Sequence, residues 1–347
     1  MHPHEKPIMA SGRILSIPRI VACTFGCCIL ANVGYAKEPA KEAAAPKAVP
    51  VVIAARVADK PIYAAEVTEE LDTTLKGRDI HADDRPRLLA EMLGQIVQRR
   101  LVLEYLRSQS QAAAQQQIDA QVAQMASQLK QHGTSLATYL AARGITEAAL
   151  KQQIDWRLSW KGYVERHVND AVLERFFDAH RRDYDGTQVR ASQILLPLPP
   201  GADAAAVDAV KKQAAELRKQ IADGKITFEA AAAQHSAAAS KDKGGDLGLL
   251  ARHGSVPEPV AKAAFALEPG QLSEPVVTRF GVHLVRVTEI KPGTKTWRDV
   301  AAELQSVIVR RGFAKIAAEQ RGKVTVEYTG ALPYIDPKTG KLVEKKP

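Results

Sequence analysis

At 347 residues, 46% hydrophobic and 25% charged, the chain is too apolar for wholesale disorder and long enough for two modest domains. Its formal charge of +9 raises the question of nucleic acid, but acids are interleaved with the bases nearly everywhere and no base-stacking aromatic motif accompanies them, so a nucleic-acid binder is excluded as a reading.

In chain order, Arg13 and Arg19 supply a positive start, residues 20–33 an apolar run, and Gly34-Tyr35-Ala36 a small-x-small ending. This is the pattern of an export signal over 1–36. The run is shorter than the about 20 residues a spanning helix needs, and no later segment reaches that length, so no transmembrane span is expected. Cys23, Cys27 and Cys28 all fall inside it. A chain cut after Ala36 then has no disulfide or thiolate chemistry, which suits an oxidising compartment, the periplasm or cell envelope. Ile20-Val21-Ala22-Cys23 also reads as a lipidation box, a lipid-anchored form that Pro18 and Arg19 disfavour by interrupting the run.

Residues 37–50 hold no large apolar side chain before Val49 and are read as a linker. The apolar run 51–57 predicts a strand, and Asp59-Lys60-Pro61 a turn leading into a helix near Ala64. From 64 to 183 the period is helical: Leu89, Leu93, Ile96, Val97 and Leu101 form one stripe, Ile118, Val122, Met125 and Leu129 a second, Leu150, Ile154 and Leu158 a third. Gly133 and Gly144 mark helix ends, and Thr146-Glu147 a start. Met125, Trp156, Trp160 and Tyr163 either pack in the core or line a groove for apolar segments.

At Gln188 the pattern changes. A strand over 189–196 is followed by helices over 204–222 and 228–235 and by strands near 246–250, 275–278 and 282–289. After Gly293 a helical period over 297–319 is expected to pack back on the earlier helices, with 323–328 a strand able to pair with 51–57. The fold class is therefore α+β. A helical domain over 51–187 is completed by a helix and strand at 291–330. An inserted domain over 188–290 carries a small four-stranded antiparallel or mixed sheet, and 331–347 is a loose tail.

Four motifs within 189–289 carry a family resemblance. Val-Arg-Ala-Ser-Gln-Ile-Leu-Leu (189–196), Gly-Gly-Asp-Leu-Gly (244–248), Phe-Ala-Leu-Glu-Pro-Gly-Gln-Leu-Ser-Glu-Pro-Val (265–276) and Phe-Gly-Val-His-Leu-Val-Arg-Val (280–287) resemble, in that order, segments of the parvulin-type peptidyl-prolyl isomerases. The flanking layout resembles the SurA-type and PrsA-type secreted foldases. The resemblance implies rotation about X-Pro bonds of unfolded or nascent exported polypeptides, without a cofactor. A metal site is not supported either, because His235, His253 and His283 lack ligand spacing and have no cysteine partners.

Carried over residue by residue, the resemblance makes Gln193 and His283 the catalytic pair, with Leu247, Leu250, Ser255, Pro259, Phe265, Thr278 and Phe280 as the substrate-binding set. His283 stands where the family has its second histidine. Gln193 replaces the first histidine, Ala237 a Cys or Asp, Ser255 a Met and Pro259 a Phe. Glutamine can hydrogen-bond to His283 but cannot titrate, and Ser255 with Pro259 removes much of an apolar wall. Weak turnover follows, with an inactive holdase chaperone as the alternative.

Two readings of His283 stand side by side, an interior histidine satisfied by Gln193 and a substrate contact. Gly244, Gly245 and Gly248 read as turn residues, and Leu247 and Phe265 as core and pocket at once. Lys241, Lys243 and Arg252 read as a solvated basic rim, of the kind that in active parvulins influences the residue preferred before proline.

Overall fold

The computed structural model describes residues 52–344; the export signal, the linker at 37–50 and Cys23 lie outside the described residues. In chain order the elements are β1 (Ile53–Val57), β2 (Lys60–Tyr63), α1 (Ala64–Leu75), α2 (Arg85–Ser108), α3 (Gln115–Gln131), α4 (Leu136–Arg143), α5 (Glu147–His167), α6 (Asp170–Ala179), α7 (Arg181–Tyr184), β3 (Gln188–Pro197), α8 (Ala204–Ala222), α9 (Phe228–His235), β4 (Asp246–Ala251), α10 (Glu258–Phe265), β5 (Val276–Thr278), β6 (Gly281–Lys291), α11 (Ala301–Arg321), β7 (Val326–Tyr328), β8 (Tyr334–Ile335) and β9 (Leu342–Val343). The fold is α+β with antiparallel sheets. Residues up to Arg166 with those from Ile308 form one compact unit, and His167–Val307 the other. Among the described residues no helix is long and apolar enough to cross a membrane.

In the first unit, β1 lies between β2 and β7. Ala54, Val57 and Ile62 of this sheet are fully buried with Val67 of α1 and with Leu93, Ile96, Val97 and Leu101 of α2. Each large aliphatic so buried contributes roughly 1.5–3 kcal/mol. A second cluster joins α3, α4 and α5 through Ile118, Val122, Leu140, Leu150 and Ile154, with Met125 partly buried beside it. Trp156, Trp160 and Tyr163 belong elsewhere: their rings stack in sequence along α5 at 5.5 and 5.4 Å, and Phe313 of α11 meets both tryptophans edge-on.

Three expectations are corrected. Lys60–Tyr63 is a strand, not a turn into α1; Pro61 is tolerated because β2 is an edge strand, where a missing N–H breaks no ladder. The last helix begins at Ala301 rather than Trp297, because the Asp299 carboxylate accepts from the backbone N and hydroxyl of Thr296, both at 2.7 Å, and closes a turn first. Among the described residues after Pro333, the tail is ordered on the first unit: β8 and β9 pair, and Tyr334 stacks on Tyr328 at 4.4 Å and packs on the first core.

The second unit starts earlier and ends later than 188–290. Arg182 of α7 donates to the Leu267 carbonyl (3.1 Å) and pairs with Glu268 (2.6 Å), while the Gly293 N–H reaches the Thr187 hydroxyl at 3.0 Å. These bonds tie α7 to the loop after α10 and join the segments that flank β3 and β6. That sheet runs β4-β3-β6-β5, every pair antiparallel. Alternation along β3 and β6 sends Ile194, Val282 and Leu284 toward α8 and α9, and Val189, Ala191, Val285 and Val287 toward α10.

Candidate functional site

On the α10 side of the sheet, β3 sets Gln193 opposite Val285 and Leu195 opposite His283, and β5 sets Val276 opposite His283. Directly opposed residues share a face, and so do residues two apart. Gln193, Leu195, His283 and Val285 therefore project together.

Gln193 Oε1 lies 3.0 Å from His283 Nδ1, and Thr278 Oγ1 lies 2.8 Å from His283 Nε2. An amide oxygen only accepts, so His283 carries its proton on Nδ1 and the Thr278 hydroxyl donates to Nε2. The ring is 2% exposed, and burial pushes its pKa below the ordinary histidine value, favouring the neutral form. The Gln193 NH2 group has no hydrogen-bond partner among the described residues.

Loops complete the β3 edge that β4 leaves open. The β3–β4 register slips after Arg190. Beyond it, Gln193 N donates to the Gly245 carbonyl (2.9 Å) and Ala237 N to the Leu195 carbonyl (2.8 Å), while the Ser236 hydroxyl accepts from Leu195 N at 3.0 Å. Two glycines permit this crowding. A Cβ at Gly245, whose φ is +82°, would lie 2.4 Å from the Gln193 carbonyl oxygen. One at Gly281, with φ +147°, would lie 2.2 Å from that of Leu196.

The remaining sequence candidates divide. Leu250 and Phe265 are buried in the α10-side core, and Leu247 packs partly buried against it. Phe280 is 50% exposed in the two-residue turn between β5 and β6, its N–H donating to Thr278 Oγ1 at 3.1 Å. Ser255 lies in the bend before α10 and Pro259 in the first turn of α10; both are exposed and neither is hydrogen-bonded to Gln193 or His283. Arg252 is not a solvated rim residue: its side chain is 10% exposed, bonded to Asp183 (2.7 Å) and forked onto Glu258 (2.7 and 2.9 Å). These bonds raise its pKa further above the ordinary range.

Sequence reasoning missed Leu195 and Ser236. Leu195 was readable from strand alternation, two residues beyond the Gln193 that the family resemblance singled out. Ser236 left no signal. A cleft of about 820 Å3, walled by Ile221, Phe228, Leu272 and Arg286, includes none of the candidate residues. Among the described residues no cluster of His, Cys, Asp and Glu could hold a metal ion.

The rotamase family model, described as a PPIC-type PPIASE domain, matches residues 194–289. The foldase protein PrsA of Bacillus subtilis (strain 168) is 31% identical over 173 residues, 49% of this chain and 52% of that protein. The chaperone SurA of Polaromonas sp. (strain JS666) is 39% identical over 146 residues, 41% of this chain and 30% of that protein. A crystal structure of a PpiC-type peptidyl-prolyl cis-trans isomerase domain shares 28% identity, covering 31% of this chain and 95% of that one, with a TM-score of 0.28. The matched region thus spans about half the length of the PrsA relative and under a third of the SurA relative. The chain carries a PPIC-type PPIase domain and is homologous to the PrsA foldases and SurA chaperones.

Proposed function

We propose that this chain is a foldase of exported polypeptides whose sheet unit binds X-Pro segments at Gln193, His283 and Thr278 and isomerises them slowly. The observation that carries the reading is the hydrogen-bonded series Gln193–His283–Thr278, at 3.0 and 2.8 Å, on one face of the sheet. Rotation about an X-Pro bond breaks no covalent bond, yet amide resonance sets a barrier of about 18–20 kcal/mol. A catalyst has only to bind the twisted amide better than the planar one. In the twisted state the imide nitrogen recovers its lone pair and accepts a hydrogen bond. The unpartnered Gln193 NH2 is the donor we assign to it, held in place by His283 through Oε1. Leu195 and Leu247 supply apolar surface beside this donor. Ser255 and Pro259 are exposed, so apolar wall on the α10 side falls to Val256 and Val260, and Ala237 offers no carboxylate or thiol, which supports low turnover.

A second reading is favoured by the same bonds. With both ring nitrogens of His283 already engaged, the domain serves as a peptide-binding or spacing module of a holdase in the periplasm or cell envelope. NMR exchange spectroscopy of a proline peptide separates the two. Cis–trans cross-peaks that build up faster with the chain than in buffer support the isomerase. Unchanged cross-peaks at high protein concentration overturn it, and suppressed aggregation of an unfolded client by the same preparation then carries the holdase.

A further inference from the structure

We propose that the cleft on the α8–α9 side of the sheet binds client segments in which an acidic side chain is flanked by apolar ones, with its carboxylate on Arg286. The inference rests on the foldase reading only for the source of the ligand, an unfolded polypeptide, and not on the prolyl site. The cleft measures about 820 Å3 and is walled by the end of α8, the start of α9 and residues 267–272, a volume ordinary for a ligand pocket. Residues 270–273 run beside β6, Gly270 N and Ser273 N donating to the Val287 and Val285 carbonyls at 2.8 Å each. Alternation along β6 puts Arg286 on the face of Val282 and Leu284, away from His283.

Arg286 is a positioned cation with an unfilled edge. Its guanidinium carbon stands 4.5 Å from the centre of the buried Phe228 ring, an attraction that restricts where the cation can swing. Nη2 pairs with Glu229, whereas Nε is buried without a partner. The Nε and Nη2 hydrogens leave one edge of the planar fork in parallel, so a carboxylate set side-on fills both. Glu229 is exposed and gives up little by swinging into water. Arg218 adds a second cation, its Nε donating to the Ser273 carbonyl at 3.0 Å and its Nη2 pairing with the exposed Glu274 at 2.9 Å. Around these groups Ile221, Ile226 and Leu272 are only partly buried. A carboxylate carried between apolar side chains meets both features, and a basic segment is repelled.

The test titrates the full chain with the blocked, proline-free peptide Leu-Glu-Phe-Leu and its Leu-Gln-Phe-Leu counterpart, and follows the Arg286 Nε–H, the Leu272 methyls and the Gln193 side-chain amide by NMR. The Glu peptide is expected to move the first two signals, to leave the Gln193 amide still, and to bind about fivefold more tightly than the Gln peptide. Arg286→Gln should erase that preference. Glu229→Gln, which removes the competing acid at an exposed position, should tighten the Glu peptide by about twofold. Equal affinities for the two peptides, no gain in Glu229→Gln, or no movement at Arg286 and Leu272 overturn the inference. Octanoate binding as tightly as the Glu peptide gives the cleft to a simple apolar carboxylate and overturns the polypeptide ligand. Because the peptide holds no proline, its failure leaves the prolyl site standing, and unchanged cross-peaks in the X-Pro exchange experiment leave the cleft standing.

Discussion

Burial and bonding act on His283 in the same direction. Its ring is out of water, one nitrogen faces an amide oxygen and the other a hydroxyl, and no acid is bonded to it to favour the imidazolium. Long-range proton–nitrogen NMR is therefore expected to find a neutral ring protonated on Nδ1 at pH 7; a proton on Nε2 would reverse the assigned donor at Thr278. Stability has a defined sign as well. A folded pKa below the ordinary value, about 6.5, means that the unfolded chain takes up the proton first as pH falls. Stability is then lost from about pH 6.5 downward until the folded pKa is passed. Urea unfolding at pH 7.5 and 5.5 should show a smaller loss in His283→Gln than in the wild type. The Gln193–His283 neighbourhood was legible through the family resemblance, which sets both residues at matching positions of two strands; alternation with a period of two gave only the face to which His283 points. The role of Ser236 was not, since a loop hydroxyl that bonds a strand edge leaves no periodic trace.

At the level of elements, the site depends on how loops close the β3 edge. Gly245→Ala would place a Cβ at a positive φ and against the Gln193 carbonyl, so it should cost more than about 1 kcal/mol and displace the Gln193 amide. Arg252→Ala removes three charge-assisted bonds that join α7, the end of β4 and α10. Because Glu258 is largely exposed, a loss of about 1–2 kcal/mol is expected rather than the full value of three such bonds; chemical denaturation of the variant measures it. The sequence showed α8, α9 and the four strands of this sheet through their periods and bounding turns. It hid β2, because Pro61 signals a turn unless the strand is known to be an edge, and it hid β8 and β9, because two-residue strands carry no alternation.

The whole molecule places its polar chemistry differently in its two units. In the first unit, Glu66 and Arg100 form an ion pair at 2.6 Å, 2% and 5% exposed, with Glu66 Oε2 and Arg100 Nε left without partners. Breaking such a pair costs about 3–5 kcal/mol, since the surviving charge stays buried. Thermal unfolding should therefore show Glu66→Met and Arg100→Met each more destabilised than the double substitution. In the second unit, the sheet carries a neutral polar set at Gln193, His283 and Thr278 beside the exposed Arg190–Asp246 pair. The central claim is that this set is a prolyl pocket whose turnover is limited by the residues replaced around it. The most direct test compares NMR exchange rates in one Ala-Pro peptide with the wild-type chain and with the combined Gln193→His and Ala237→Asp variant. Slow but measurable acceleration by the wild type, rising on the order of tenfold in the variant, is the predicted result. Rates equal to those of the peptide alone in both samples would contradict it.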